Sequence, residues 1–448
     1  MQRSQKPEKA PIRRDPRPPA DARACALDIF HDVLHHGRAF DEGFAAHAGL
    51  RKLDARDRAF VRLLIATALR RMGQIDAVLA ACIDREVPAR HAIVRDILRL
   101  GCAQLLFLKT PAHAAVDTAV RLTAERGRGA YKGLVNAVLR RVARSGEDMI
   151  AAQDAARLDT PDWLWTSWAA AYGEETARAI AEANLEEPPL DITVNANAKT
   201  WAASLGGTVL ATGTVRRAAH SHAGPITELP GFAEGAWWVQ DAAAAIPATL
   251  FGDVSGKAVI DLCAAPGGKT AQLAAKGAKV TALDSSRSRI DLIAENLKRL
   301  ELKAELVRDD ALTWRPDEPA PFVLLDAPCT ATGAMRRHPD IAHLKTLADV
   351  KRLAALQDRL LDAAAQMTAR GGCLIYCTCS LQTEEGPDRI AAFLARNKEF
   401  AREPIAAADI GGLAELIDKD GDLRTLPFQL RESGGIDGFY AARLRRRP

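Results

Sequence analysis

The chain has 448 residues, of which 48% are hydrophobic and 26% charged, with a net charge of +4. That length exceeds one ordinary core and predicts two or three domains with a soluble, globular balance of residues. No apolar run approaches the roughly 20 residues of a membrane span and the amino terminus lacks a signal-peptide core, so a cytoplasmic protein without membrane partners is expected.

Residues 1–20 are rich in Pro, Lys and Arg, which predicts a disordered basic tail. From 21 to 145 apolar residues recur at helical spacing, as in Ala26, Leu27, Ile29, Phe30, Val33 and Leu34, then Phe60, Val61, Leu64, Ile65 and Ala68. Further helices are predicted over Val94–Leu108 and Gly133–Val142, with breaks at Gly37, Gly73, Pro88 and Pro111. The expectation is an all-α amino-terminal bundle.

Residues 146–245 read as a small α+β connector. Asp159-Thr-Pro-Asp-Trp163 places Pro161 at a helix start behind Thr160 as its cap. Pro188-Pro189 ends the next helix, and Leu190–Asn195 and Trp237–Gln240 predict strands.

From 246 to 448 short apolar strands alternate with helices. Strands are predicted at Ala258–Cys263, Lys279–Asp284, Ala304–Arg308, Phe322–Asp326 and Cys373–Thr378. Helices are predicted at Lys269–Ala275, Arg287–Leu300 and Val350–Thr368. This pattern implies a doubly wound, mostly parallel α/β sheet, which binds ligands beyond the carboxyl ends of its strands.

The first of those ends carries Asp261-Leu-Cys-Ala-Ala-Pro-Gly-Gly-Lys-Thr270. Gly268-Lys-Thr270 is not a P-loop, because the leading glycine of that motif falls on Cys263, and no G-x-G-x-x-G is present. What remains is a glycine turn that lets backbone approach a ligand closely. Asp261, Asp284, Asp310 and Asp326 all fall at or near strand ends. Carboxylates around one crevice repel a polyphosphate but suit hydroxyls, an amine and a cationic centre, with Asp284 placed to accept from a ribose. S-adenosylmethionine fits that inventory; the bland alternative is four helix-capping aspartates.

Eight cysteines in a chain this size do not form a disulfide framework and point to a reducing compartment. Cys373, Cys377 and Cys379 lie close together, but no Cys-x-x-Cys pair and no nearby histidine completes a zinc set, so no metal is expected. Cys25, Cys82, Cys102, Cys373 and Cys377 read as small buried hydrophobes. Cys329 and Cys379 differ, because each falls in a loop at the ligand end, beside Asp326. Cytosine C5 is a poor nucleophile until a thiolate adds at C6, which makes C5 enamine-like. That chemistry needs a thiol, an acid beside N3 and a group that helps release the product. Cys379, Asp326 and Cys329 supply one of each.

These motifs, with Arg336-Arg-His-Pro-Asp340 and Thr378-Cys-Ser380, resemble the RsmB/NOP-type RNA cytosine-C5 methyltransferases. Gly435-Ile-Asp-Gly-Phe-Tyr440 is similar to that family's closing strand. Asp57-Arg-Ala, placed on the second helix, and Lys132-Gly-Leu-Val-Asn-Ala-Val-Leu-Arg140 resemble a NusB-like RNA-binding domain. The resemblance implies a class I, Rossmann-like methyltransferase domain that methylates small-subunit ribosomal RNA. It also implies that Cys263, Ala264, Ala265, Pro266, Gly267, Gly268 and Lys269 line S-adenosylmethionine, with Asp284, Arg289, Asp310 and Asp326. Cys379 would be the nucleophile and Cys329 would assist product release. The chain departs from the family at Arg308-Asp309-Asp310, where Gly-Asp is usual and Asp310 is preferred over Asp309, and at Thr193, where an arginine is usual.

Basic clusters at Arg13, Arg14 and Arg17, at Arg140, Arg141 and Arg144, at Arg336 and Arg337, and at Arg443 and Arg445 to Arg447 suit a polyanion. Each could equally be a solvated surface. Two rivals remain: a methyltransferase for exocyclic amines, which needs no cysteine nucleophile, and a non-catalytic RNA-binding protein suggested by the helical domain alone. A monomer is expected.

Overall fold

The computed structural model describes residues 21–84, 86–219 and 224–448. The predicted tail, with Arg13, Arg14 and Arg17, lies outside the described residues.

Seven helices carry the amino-terminal region: α1 (Ala22–His36), α2 (Phe40–Ala46), α3 (Ala55–Arg70), α4 (Met72–Cys82), α5 (Ala92–Cys102), α6 (Ala112–Glu125) and α7 (Lys132–Ala151). The Asp21 carboxylate accepts from Arg23 N at the start of α1, and Gly37 closes that helix at φ 67. Leu27, Phe30, Leu64, Ile65, Leu98 and Leu139 from four of these helices meet in one core. Two readings are corrected here. Asp57 lies on the third helix, because the short α2 fits between Gly37 and the Asp54 cap. Gly73 is not a break but sits in the first turn of α4, where a Cβ would lie 1.8 Å from Leu158 O. Its role is close packing. The helix expected to run through Leu108 is α5 followed by a π turn at Ala103–Phe107.

The connector contains α8 (Ala155–Leu158), α9 (Asp162–Tyr172), α10 (Glu174–Asn184), β1 (Leu190–Val194), α11 (Ala198–Leu205), β2 (Thr208–Val209), β3 (Val215–Arg217) and β4 (Trp237–Val239). Its antiparallel strands run in the order β2-β3-β1-β4. Pro161 itself occupies the position before α9 with no side-chain cap, so Thr160 does not cap it. Helix α10 ends at Asn184, before the two prolines.

The last region holds α12 (Ala242–Ala245), β5 (Ala258–Leu262), α13 (Gly268–Ala275), β6 (Lys279–Leu283), α14 (Arg287–Arg299), β7 (Glu305–Val307), β8 (Ala320–Asp326), α15 (Ile341–Leu344), α16 (Leu347–Met367), β9 (Thr368–Thr378), α17 (Pro387–Arg396), β10 (Phe400–Arg402), β11 (Leu423–Thr425) and β12 (Phe439–Arg446). The sheet order is β10-β12-β9-β8-β5-β6-β7, with β11 beside β12. Strands β5 to β9 pair in parallel, as their buried apolar runs predict, and β12 is antiparallel to β9. Strand order reverses between β5 and β8, which opens a crevice at their carboxyl ends. No helix among the described residues is long and apolar enough to cross a membrane.

Candidate active site

On one side of the crevice the chain leaves β5 through Cys263, at φ 60, and turns at Gly267, at φ 97. A left-handed backbone is cheap only for glycine, and at Gly267 it feeds straight into α13. Asp284 follows β6, is almost fully buried, and accepts from Ser286 N at 3.0 Å. Arg289 bridges this turn: its Nη2 lies 3.2 Å from Asp284 Oδ2 and donates to Ala265 O at 3.1 Å. Asp310, after β7, is exposed and accepts from Leu312 N at 2.9 Å, while the Asp309 carboxylate accepts from Asp310 N.

Asp261 departs from the expectation that it lines the crevice. It is fully buried beneath the glycine turn, accepts from Thr270 Oγ1 at 2.6 Å, and has its other oxygen unpartnered. Burial pushes its carboxyl up to about 7, and the neighbouring Asp326 adds to the rise. The remaining set still suits S-adenosylmethionine. Both cations at the turn, Arg289 and Lys269, are already paired with aspartates, which leaves carboxylate acceptors and backbone rather than a phosphate cradle.

On the other side, β8 ends at Asp326 and β9 ends at Thr378, with Asp326 in register opposite Cys377. Cys329 and Cys379 lie just beyond these ends, half-buried, with their sulfurs 3.6 Å apart. The strand stops where the cysteine assignment needs it to stop. Cys377 points into the sheet and is fully buried, whereas Cys379 has left the pleat. Cys377 is nevertheless more than an inert hydrophobe, since its thiol donates to Asp326 Oδ1 at 3.5 Å. Burial and that carboxylate push it far above the usual thiol range.

Lys269, expected only to line the cofactor, reaches across to Asp326 Oδ2 at 2.7 Å. Burial disfavours its ammonium, but Asp326 together with the sulfurs of Cys377 and Cys379 outweighs burial and holds it protonated. The loops themselves are stitched together. Gly333 N donates to Cys379 O at 2.9 Å and Gly438 N to Gly333 O at 2.8 Å. A Cβ on Gly333 would lie 1.9 Å from Gly438 O, so only glycine permits this approach.

One group, Glu385, escaped the sequence reading, and so did the contacts of another, Arg337. Glu385, in the turn before α17, accepts from Thr330 N at 2.9 Å and Ser380 Oγ at 2.6 Å, and so touches the residue after Cys329 and the residue after Cys379. Arg337 joins the connector to the catalytic domain. It lies 2.6 Å from Asp241, 2.9 Å from Asp437 and 3.7 Å from Asp191, and donates to Pro189 O. Arg336 is buried beside it and donates to Pro427 O. The Arg336-Arg337 pair is therefore internal and not a patch for a polyanion. Arg443, Arg445 and Arg446 are likewise engaged by Glu403, Asp409 and Glu399. Arg140, Arg141 and Arg144 remain exposed.

Residues 248–445 match the family model "16S rRNA methyltransferase RsmB/F", residues 20–144 the NusB family, and residues 160–206 the RsmF/B-like ferredoxin-like domain. Similar curated proteins include the ribosomal RNA small subunit methyltransferase B of Pseudomonas putida, 38% identical over 89% of this chain and 92% of its own. That of Vibrio cholerae is 33% identical over 85% and 90%. Among solved structures, PH0851 superposes with a TM-score of 0.74 over 98% of this chain and 100% of its own, at 23% identity. A methyltransferase homolog from Pyrococcus horikoshii gives 0.51 over 68% and 98%, at 25% identity. The glycine turn, the aspartate-lined crevice and the NusB-type bundle thus place this chain in the RsmB/F family of S-adenosylmethionine-dependent 16S rRNA methyltransferases.

Proposed function

We propose that the chain methylates C5 of one cytosine in small-subunit ribosomal RNA through a covalent bond between Cys379 Sγ and cytosine C6, acting as a cytoplasmic monomer. The observation that carries this reading is the pair Cys329 and Cys379, 3.6 Å apart at the ends of neighbouring strands, beside the Lys269–Asp326 ion pair.

Cys263 to Lys269 with Asp284, Arg289, Asp310 and Asp326 are the residues to hold S-adenosylmethionine, which supplies an electrophilic methyl group when bound. The deprotonated sulfur of Cys379, beside the Lys269 ammonium, forms a bond to C6. The C5–C6 π pair moves onto the ring, where Asp326 and the proton it shares with Lys269 stabilise charge developing at N3. C5 then takes the methyl carbon, whose bond to the sulfonium sulfur breaks with the electron pair staying on sulfur. C5 now carries both the methyl group and its original hydrogen. Cys329, its own proton released to solvent, takes up that hydrogen as a proton. The C–H pair restores C5=C6, and the C6–S bond breaks with its electrons returning to Cys379.

Cys379→Ala tests the assignment. The variant should fold, retain cofactor binding and leave the target unmethylated in bisulfite sequencing of 16S rRNA. Turnover within about tenfold of the wild type would contradict the nucleophile, since covalent catalysis is worth far more than that.

A further inference from the structure

We propose that Glu385 is a positioning residue of the two-cysteine centre, fastening the Cys329 loop to the Cys379 loop and thereby governing release of the RNA adduct. This rests on the covalent reading above and extends it to a residue outside the reacting atoms.

Glu385 is fully buried, and its carboxylate is surrounded by donors. Thr330 N donates to Oε1 at 2.9 Å and to Oε2 at 3.2 Å, and Thr330 Oγ1 also donates to Oε2. Ser380 Oγ donates to Oε2 at 2.6 Å, and Gln357 Nε2 reaches Oε1 at 3.4 Å while donating to Pro328 O at 2.8 Å. The backbone carbonyl of Glu385 accepts from Tyr376 Oη at 2.8 Å and Thr378 Oγ1 at 3.1 Å. Glu385 therefore holds Thr330 beside Cys329 and Thr378 and Ser380 around Cys379, and reaches Pro328 only through Gln357.

Stability alone does not explain a charged residue here. Among the described residues no cation pairs with Glu385, and the nearby Arg389 is engaged by Asp358 at 2.5 Å. A buried carboxylate balanced only by hydrogen-bond donors costs more than a neutral residue of its shape. What the charge does is act on Cys329. Cys379 and Tyr376 also face that sulfur. Its thiol is pushed well above the usual range by the hydrogen bond with Cys379, by burial and by the charges of Cys379 and Glu385. Once its own proton has left, a thiolate this basic is a strong acceptor for the C5 proton. Lys269 acts from the opposite side on Cys379. Two fixed charges of opposite sign thus distinguish two sulfurs in contact.

The test uses the full-length enzyme with 16S rRNA and S-adenosylmethionine. Glu385→Gln should melt no lower than wild type, bind cofactor equally and transfer the methyl group once. Its release step should slow by about 10- to 100-fold, and the pH dependence of release should shift to lower pH as Cys329 loses the adjacent negative charge. A denaturant-resistant protein–RNA band should build up during turnover. If Glu385→Gln fails to fold, Thr330→Val, which removes one arm of the clamp, should slow release selectively instead. Release at the wild-type rate with an unshifted pH profile overturns the proposal. So does an equal fall in transfer and release with a lower melting temperature, because that marks a merely structural residue. Cys329→Ala runs in parallel: if it traps no adduct the covalent reading itself fails, whereas a trapped adduct beside normal release in Glu385→Gln removes only the role of Glu385.

Discussion

At the scale of single residues, Arg337 ties the connector to the methyltransferase domain. Its guanidinium meets Asp241 and Asp437 directly and Asp191 at longer range, and Asp191 is itself held by Arg216 through two bonds of 2.6 Å. These carboxylates are buried, and Asp437 is already pushed up to about 6 by burial despite the arginine. Arg337→Met would leave Asp241 and Asp437 as uncompensated buried charges, a loss of about 3–5 kcal/mol. Arg337→Lys should recover little, because an ammonium cannot span two carboxylates as the planar fork does. Native-state hydrogen exchange around Asp241 and Asp437 checks this, and a local loss under about 1 kcal/mol would contradict it. The sequence displayed Arg336 and Arg337 only as a basic pair. Their partners sit about 100 residues away on either side, and no local pattern reports that.

Among elements, legibility followed burial pattern. The central strands of the parallel sheet were visible as short apolar runs, since a strand covered on both faces has no polar alternation to obscure it. The end of β9 at Thr378 was the decisive boundary, since it leaves Cys377 in the pleat and Cys379 beyond it. The short helix α2 was missed because seven residues give no periodicity to count. The role of Gly73 was missed for a different reason: a glycine used for close packing and one used for a break look alike in one sequence. Asp261 was misplaced because position at a strand end does not say which face a side chain takes. Lys269 and Glu385 were missed as partners of the two cysteines. Their contacts cross from α13 to β8 and from the turn before α17 to the β8 loop, and only the fold brings those together.

Across the whole molecule, the helical domain grips the segment that follows Cys329. Asp340 Oδ2 accepts from Phe40 N at 2.9 Å, Arg70 donates to Arg336 O at 2.8 Å, and His343 bonds Leu69 O at 2.9 Å. His338 Nδ1 lies 3.0 Å from Asp41 Oδ2. Burial opposes the charged imidazole, but Asp41 outweighs it and raises His338. Asp41 is held down to about 2, with His338 and Arg62 overcoming its own burial. The signs define a window. The Asp41 contribution is present above the ordinary aspartate value near ~3.9 and lost as pH falls toward 2. That of His338 is complete below the ordinary histidine value near ~6.5 and lost as pH rises through its raised folded value. Docking of the helical domain should therefore weaken as pH rises through the raised His338 value in wild type, and not in His338→Gln. Limited proteolysis between the two domains as a function of pH measures this, and identical profiles for the two proteins would contradict it.

The central claim is that Cys379 becomes covalently bonded to RNA, with Cys329 needed to free it. The most direct measurement is Cys329→Ala incubated with 16S rRNA and S-adenosylmethionine, denatured, digested and analysed by mass spectrometry. The account predicts a cross-linked peptide containing Cys379 joined to a methylated cytosine. A cross-link at Cys377 or any other residue, or normal turnover with no cross-link, would contradict it.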